Sequence, residues 1–320
     1  MHQLIDTIFS STFVRTPLAQ RNDAVIFPFG SSMMAFTTDS YVIQPLFFPG
    51  GDIGRLAVYG TVNDLAMCGA HPLYLSVGMI FEEGLLMEDV WKISRSLEDA
   101  ACCAGVQIVT GDTKVVDKGK GDGLFINTSG IGIIEHDKKI HPQQIKPGDV
   151  IIVSGDIGRH GIAVMALREG LEFESTIESD LASLSEIVQT LLSAGIEIHC
   201  MRDLTRGGLA SALNELAEAA EVGIEVDEAE IPVRQDVAAA CEMLGLDPLY
   251  VANEGRFVAF VAPEDKNRTL EIMKCHPLGK EASVIGKVSG KNSVAVTVKS
   301  KIGTKRILGM LSGEQLPRIC

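Results

Sequence analysis

The character of the chain resets near residue 146, and that reset constrains the fold more than any other feature of the sequence. Before it, strand-like runs at Asp23–Phe27, Met33–Thr37, Leu73–Ile80, Val106–Thr110 and Leu124–Ile134 alternate with helical spacing at Leu4–Phe13, Ile53–Met67 and Met87–Ala104. Gly30-Ser31-Ser32 reads as a turn. Gly105 is expected to stop the Met87 helix, and Val106–Thr110 to lead into Gly111-Asp112-Thr113. Lys146-Pro147-Gly148-Asp149 then reads as a turn, and a second series begins. It runs from a strand at Val150–Ser154 through the loop Gly155–Gly161 and a helix after it. Helices are predicted at Leu184–Ala194, Gly208–Ala220, Val237–Leu244 and Lys266–Lys274, and strands at Phe257–Val261, Ala282–Lys287 and Ser293–Val298. No repeat of fixed period is present. Irregular alternation over 320 residues predicts an α/β (α+β) fold in two domains, 1–146 and 147–320.

Composition narrows the function classes. Apolar residues at 46% and charged residues at 22% suit a packed chain and exclude global disorder. A net charge of −14 opposes the basic footprint that nucleic-acid binding needs. ATP remains compatible, provided Mg²⁺ and backbone N–H groups offset the acids. No run approaches a membrane-spanning helix, and Met1–Gln20 carries Asp6 and no basic start, so neither a membrane span nor a signal peptide is predicted. The seven cysteines are odd in number and form no CxxC. Cys68, Cys102, Cys103, Cys200, Cys241 and Cys275 are expected to be small buried side chains in a reducing cytoplasm. Cys320 differs, because it is the last residue.

Several constellations carry chemistry. Asp23, Asp39, Asp64, Asp112 and Asp203 follow apolar runs beside Gly and Thr, as hard oxygen ligands for Mg²⁺ would. Each alone reads more readily as a helix cap or turn residue than as a metal ligand. The five together, with Lys114 beside Asp112 and Thr113, point to a metal–nucleotide site. Gly155-Asp156-Ile157-Gly158 and Gly207-Gly208 each precede a helix, and each reads either as a plain turn or as a phosphate cradle. Glu254, between an apolar stretch and a strand, suits a proton acceptor or a surface turn. The terminal thiol of Cys320 sits on a segment, 313–320, expected to be mobile and able to span roughly 20–25 Å. Residues 282–313 hold six Lys/Arg and no acid, which reads as a solvated strand pair or as a dock for an acidic partner.

Taken together these segments resemble the AIR synthetase (PurM-like) superfamily and, within it, the HypE family of hydrogenase maturation factors. The resemblance runs in order through Phe36-Thr-Thr-Asp-Ser-Tyr-Val-Ile, Phe48-Pro-Gly-Gly-Asp-Ile-Gly, Gly60-Thr-Val-Asn-Asp-Leu-Ala, Gly111-Asp-Thr-Lys-Val-Val and Leu124-Phe-Ile-Asn-Thr. It continues through Arg202-Asp-Leu-Thr-Arg-Gly-Gly, Asn253-Glu-Gly, His276-Pro-Leu-Gly-Lys and the terminal Pro-Arg-Ile-Cys. Members begin with a Gly-Ser-Gly-Gly stretch, and Met1-His2-Gln3-Leu4 stands where it would end. The resemblance implies a dimer whose N-terminal domains pair around a β-barrel, with ATP and Mg²⁺ between sheet and loops. Asp23, Asp39, Asp64, Gly111, Asp112, Thr113, Lys114, Asn127, Asp203 and Gly207 would bind the nucleotide, with Asp39, Asp64, Asp112 and Asp203 on the metal. It further implies that a carbamoyltransferase, HypF, loads a carbamoyl group on Cys320. ATP then phosphorylates its oxygen, with Lys114 offsetting charge. Glu254 removes protons from nitrogen, and a thiocyanate forms whose cyanide passes to iron on a HypC–HypD complex.

Two other classes use the same residues differently. A small-molecule kinase of the superfamily would leave Cys320 idle. A non-catalytic carrier would ferry a group on Cys320 while a partner did the chemistry.

Overall fold

Asp52 starts the helix that organises the first half of the chain. Its Oδ1 accepts from Gly54 N at 2.8 Å and Arg55 N at 3.1 Å, which satisfies two of the free donors at the start of α1 (Ile53–Met67). Almost every residue of α1 is buried, including Thr61 and Asn63. A helix apolar all round is covered on all sides. One flank lies on a five-stranded sheet; the end, at Ala66 and Met67, packs with Ile187, Leu191 and Phe257 of the second half.

The structure, a computed structural model, describes residues 22–171, 176–290 and 294–310. The expected Leu4–Phe13 helix, the Met1–Leu4 start, Ser293 and the tail 313–320 with Cys320 lie outside these residues. The first sheet contains β1 (Val25–Phe29), β2 (Ser32–Tyr41), β5 (His71–Glu82), β6 (Gln107–Val116) and β7 (Leu124–Ile134), in the order β1-β2-β7-β5-β6. All neighbours are antiparallel except β5 and β6, which the crossover helix α2 (Met87–Ala104) joins in parallel. Gly105, left-handed at φ 70°, ends α2 as the sequence requires. A short ribbon, β3 (Phe47–Phe48) with β4 (Gly51–Asp52), leads into α1.

The second sheet has seven strands. They are β8 (Val150–Val153), β9 (Ile198–Asp203), β10 (Gly223–Asp227), β11 (Phe257–Val261), β12 (Ser283–Ser289), β13 (Val296–Lys299) and β14 (Lys305–Ile307), in the order β14-β13-β10-β12-β8-β11-β9. Alternate residues of β11 serve two layers. Val258 and Phe260 pack with Leu209, Leu213 and Leu216 of α5 (Gly208–Ala220), after α3 (Arg159–Arg168) and α4 (Ser185–Ser193) in the chain. Phe257, Ala259 and Val261 pack with Ile187 and Leu191 of α4 and Met273 of α7 (Lys266–Cys275), which follows α6 (Gln235–Leu244). Helices on both sides of the sheet fit the expected α/β class.

Three expectations need correction. The strand expected to end at Thr110 runs on to Val116, so Gly111, Asp112 and Thr113 lie inside an exposed edge strand. Its outer edge has no sheet neighbour among the described residues, so Gly and Asp cost little there. Second, only Cys68, Cys200 and Cys241 are buried; Cys102 and Cys103 face outward from α2, and Cys275 ends α7 exposed. Third, β9, β10 and β14 were not expected: β9 and β14 carry no clean apolar alternation, and β10 alternates over only five residues. The basic run 282–313 is partly neutralised within the chain. Lys299, Lys305 and Arg306 lie 2.8, 3.6 and 3.1 Å from Asp227, Glu225 and Asp247. No helix among the described residues is long and apolar enough to cross a membrane.

Candidate active site

Four carboxylates meet where α1, the first sheet and β9 converge. Asp23 precedes β1, Asp39 lies within β2, Asp64 is carried by α1 and Asp203 ends β9. Carboxylate oxygens of Asp23, Asp64 and Asp203 all lie within 4.8 Å of one another. Asp39 is near enough to raise the pKa of each of these three. None of the four caps a helix; that task falls to Asp52. Thr37 Oγ1 donates to Asp64 Oδ2 and is also 2.9 Å from Asp23 O. The buried Tyr41 hydroxyl donates to Asp39 Oδ2 at 3.3 Å. Arg202 Nε of β9 lies 3.0 Å from Asp23 Oδ1, tying the second sheet to the first.

Burial drives the electrostatics. It pushes the Asp23 carboxyl up from 3.8 to about 6, with Arg202 opposing and Glu215 and Asp39 adding repulsion. Asp64 and Asp203 are held well above the usual carboxylate range, first by burial and then by the other acids. Asp23 Oδ2 is buried with no hydrogen-bond partner among the described residues. Such a set either keeps protons or takes a cation, and a hard oxygen-only donor set fits Mg²⁺.

This has a measurable consequence. Between 3.8 and about 6 the folded chain binds more protons at Asp23 than the unfolded chain does, so stability falls as pH rises across that window. A cation offsets the exposed repulsion. Mg²⁺ should therefore raise the melting temperature more at about pH 8 than at about pH 5. Equal shifts in a melting series at the two pH values would remove the cluster as a cation site.

Glu254 stands beside this cluster. It is 3% exposed, and its Oε1 has no hydrogen-bond partner among the described residues. Burial first, then repulsion from Asp203, Asp180 and Asp39, pushes its carboxyl well above the ordinary value, with Arg206 opposing. Asn63, one residue before Asp64, bridges the two halves. Its Nδ2 donates to Ala182 O at 3.0 Å and Glu254 O at 3.4 Å, and its Oδ1 accepts from Leu184 N at 2.7 Å.

These observations meet the comparisons with known proteins. Models of the AIR synthase related protein, N-terminal and C-terminal domains, match residues 21–134 and 146–299. Carbamoyl dehydratase HypE of Azotobacter vinelandii is 51% identical over 320 residues, covering 100% of this chain and 94% of that protein. The chain belongs to the HypE carbamoyl dehydratase family. A solved HypE in a HypE–HypF complex superposes with a TM-score of 0.91 at 45% identity, covering 96% of this chain and 99% of that one. A HypE solved in complex with ATP gives 0.88 at 44% identity, with 100% and 96% covered.

Within this HypE fold the expected site residues divide into two groups. Asp23, Asp39, Asp64, Asp203 and Glu254 come together. Asn127 joins them from β7, where its Nδ2 donates to Asp39 O at 2.7 Å and Ser40 Oγ at 3.0 Å. Gly207 is left-handed at φ 74° and starts α5 four residues beyond Asp203. Asp112, Thr113 and Lys114 are not brought to the cluster in one chain. The register row Ser40–Asn127–Gly78–Asp112 crosses four strands, so three spacings of about 4.8 Å separate Asp112 from β2. Gly111, Asp112 and Thr113 instead line a groove of about 890 Å³ between α2 and β6, with Leu97, Ala101 and Val106. That volume suits a small ligand. Within Gly155–Gly158 two donors are taken inside the chain, Ile157 N by Pro232 O at 3.0 Å and Gly158 N by Asn253 Oδ1 at 2.7 Å, which leaves fewer for a phosphate. Asn63 and Asp180 were missed. Asn63 sits inside a quoted motif, but its type signals no chemistry; Asp180 sits in no motif at all.

Proposed function

We propose that this protein is an ATP-dependent carbamoyl dehydratase acting on a carbamoyl group carried by its own Cys320. The observation that carries the reading is a buried Glu254 carboxyl, its Oε1 without a hydrogen-bond partner among the described residues, set beside the clustered carboxylates of Asp23, Asp64 and Asp203. An acid with a raised pKa accepts a proton well once ionised. The carbamoyl oxygen is a poor leaving group until phosphorylated. It attacks the γ-phosphorus of ATP, one N–H proton is lost and ADP departs, leaving an S–C(=NH)–O–phosphate. Glu254 takes the remaining N–H proton, the C–O bond breaks, phosphate leaves and S–C≡N remains. The atoms balance as one water removed, its oxygen leaving on phosphate.

Asp23, Asp39, Asp64 and Asp203 would hold Mg²⁺, which supplies charge neutralisation for the phosphates. Asp112 and Lys114, expected to serve the phosphates, are proposed to do so across a dimer. The outer face of the first sheet carries exposed Phe36 and Tyr74 in one register row with Ile131, and exposed Ile80 beside Lys114. Exposed apolar side chains on this face, alternating with polar rows, suit a second copy of the chain. Lys114 shares that face, so it would look into the partner copy, where it could offset charge on the transferred phosphoryl. HypF as carbamoyl donor and HypC–HypD as cyanide acceptor complete the reading, in the cytoplasm. Two domains dividing at 146/147, the second ending in the segment 313–320 that carries Cys320, are part of it.

Intact-protein mass spectrometry tests it. After incubation with HypF, carbamoyl phosphate and ATP, Cys320 should gain one carbamoyl group, then lose one water on adding Mg-ATP. Gain without loss would support the carrier reading. No gain would overturn the role of Cys320 and favour the small-molecule kinase.

A further inference from the structure

We propose that Asp180 is a positioning residue that fixes the main chain of Glu254 for proton transfer, an inference that rests on Glu254 being the base. Asp180 is 4% exposed and lies between α3 and α4, outside any strand or helix. Its Oδ2 accepts from Glu254 N at 3.2 Å and Gly255 N at 3.0 Å; its Oδ1 accepts from His160 N at 3.1 Å, in the first turn of α3. The backbone fits as closely as the side chain. A Cβ on Gly255 would collide with Asp180 O, so only glycine lets the two segments meet. Ala182 N donates to Glu254 O at 3.4 Å, and Asn63 Nδ2 reaches the same oxygen from α1. On the far side Asn253 Nδ2 donates to Leu204 O and Val251 O, both at 3.1 Å.

Both backbone groups of Glu254 are thus held, while its side-chain Oε1 has no hydrogen-bond partner among the described residues. That arrangement fixes where the carboxyl starts without occupying the end that must take a proton. The strap is also anchored to the first half of the chain. Ser179 N donates to Pro49 O at 2.9 Å, and Ser179 Oγ bonds His160 Nδ1 at 2.9 Å, whose ring meets Phe48 edge-on with centroids 5.3 Å apart. Asp180 therefore couples the ribbon before α1, the start of α3 and the proton acceptor.

The test uses the full-length protein, carbamoylated on Cys320. Asp180→Ala should slow dehydration about 10–100-fold, the cost of a displacement of about 1 Å, with carbamoylation and the KM for ATP unchanged. Asp180→Asn, which keeps one acceptor oxygen, should fall between and serves if the alanine variant fails to fold. In a Glu254→Asp background the Asp180 substitution should add little, because both act through one group. Full additivity in that background, a lower melting temperature with an unchanged rate, or a change in KM alone would each overturn the proposal. Glu254→Gln separates the two claims. If it dehydrates at the unsubstituted rate, the base assignment fails whatever Asp180 does; if it is slow and Asp180→Ala is not, only the positioning role fails.

Discussion

Glu254→Gln should leave carbamoylation of Cys320 and ATP binding intact and slow dehydration by about 10²–10⁴. The substitution is nearly isosteric, so the close fit of Gly255 against Asp180 survives. It removes only the capacity to take a proton. The neutral amide also relieves repulsion from Asp203, Asp180 and Asp39, the charges that with burial raise the carboxyl. The variant should therefore melt no lower than the unsubstituted protein, which separates lost chemistry from lost fold. A time course of intact masses reads the step directly: the carbamoylated species should accumulate and persist. A rate within threefold of the unsubstituted chain would place the base elsewhere.

How far the sequence anticipated this arrangement depends on which force shaped each segment. Ile53–Met67 and Met87–Ala104 are legible to their last residues because local chemistry sets their ends: Asp52 caps one and Gly105 terminates the other. Leu124–Ile134 is legible because it is a long apolar run rich in β-branched residues, and in the fold its burial alternates residue by residue. Strand β9 is central to the chemistry yet was missed. Its His199 and Arg202 break the apolar pattern; they are tolerated because carboxylates meet them, Asp149 at 2.8 Å, Asp23 at 3.0 Å and Glu215 at 3.2 Å. Pairings across 50 residues or more leave no periodic trace. Asp112 shows the converse limit. Gly and Asp after an apolar run read as the end of a strand, but an edge strand continues through them. The gathering of Asp23, Asp39, Asp64 and Asp203 was legible as a set of residue types, whereas the geometry that unites four of the five aspartates and leaves out Asp112 belongs to the tertiary fold.

Asp64→Asn should trade function for stability. Asp64 is itself half-buried, but it is carried on a helix buried nearly all round and stands within 4.8 Å of two other carboxylates. Burial, Asp39, Asp203 and Asp23 all oppose its ionisation, and only the Thr37 hydroxyl bond favours it. An asparagine oxygen still accepts from Thr37, so the packing of α1 against β2 is kept while the repulsion is lost. Without divalent cation the variant should melt higher than the unsubstituted protein, most clearly above about pH 6, where Asp23 ionises beside it. With Mg²⁺ the gap should close or invert, because the cation has lost one oxygen donor of full charge. ATP-dependent dehydration should fall by about 10²–10³, the several kcal/mol that a bound cation contributes to charge stabilisation. Asp112→Asn is the control that the geometry supplies. It lies three strands from β2 on an exposed edge, so it should leave the cation-free melting temperature unchanged whatever it does to turnover. If Asp64→Asn melted lower without cation, the four carboxylates would be a hydrogen-bonded structural network, and a second copy's Asp112 and Lys114 would have no charged cluster to meet.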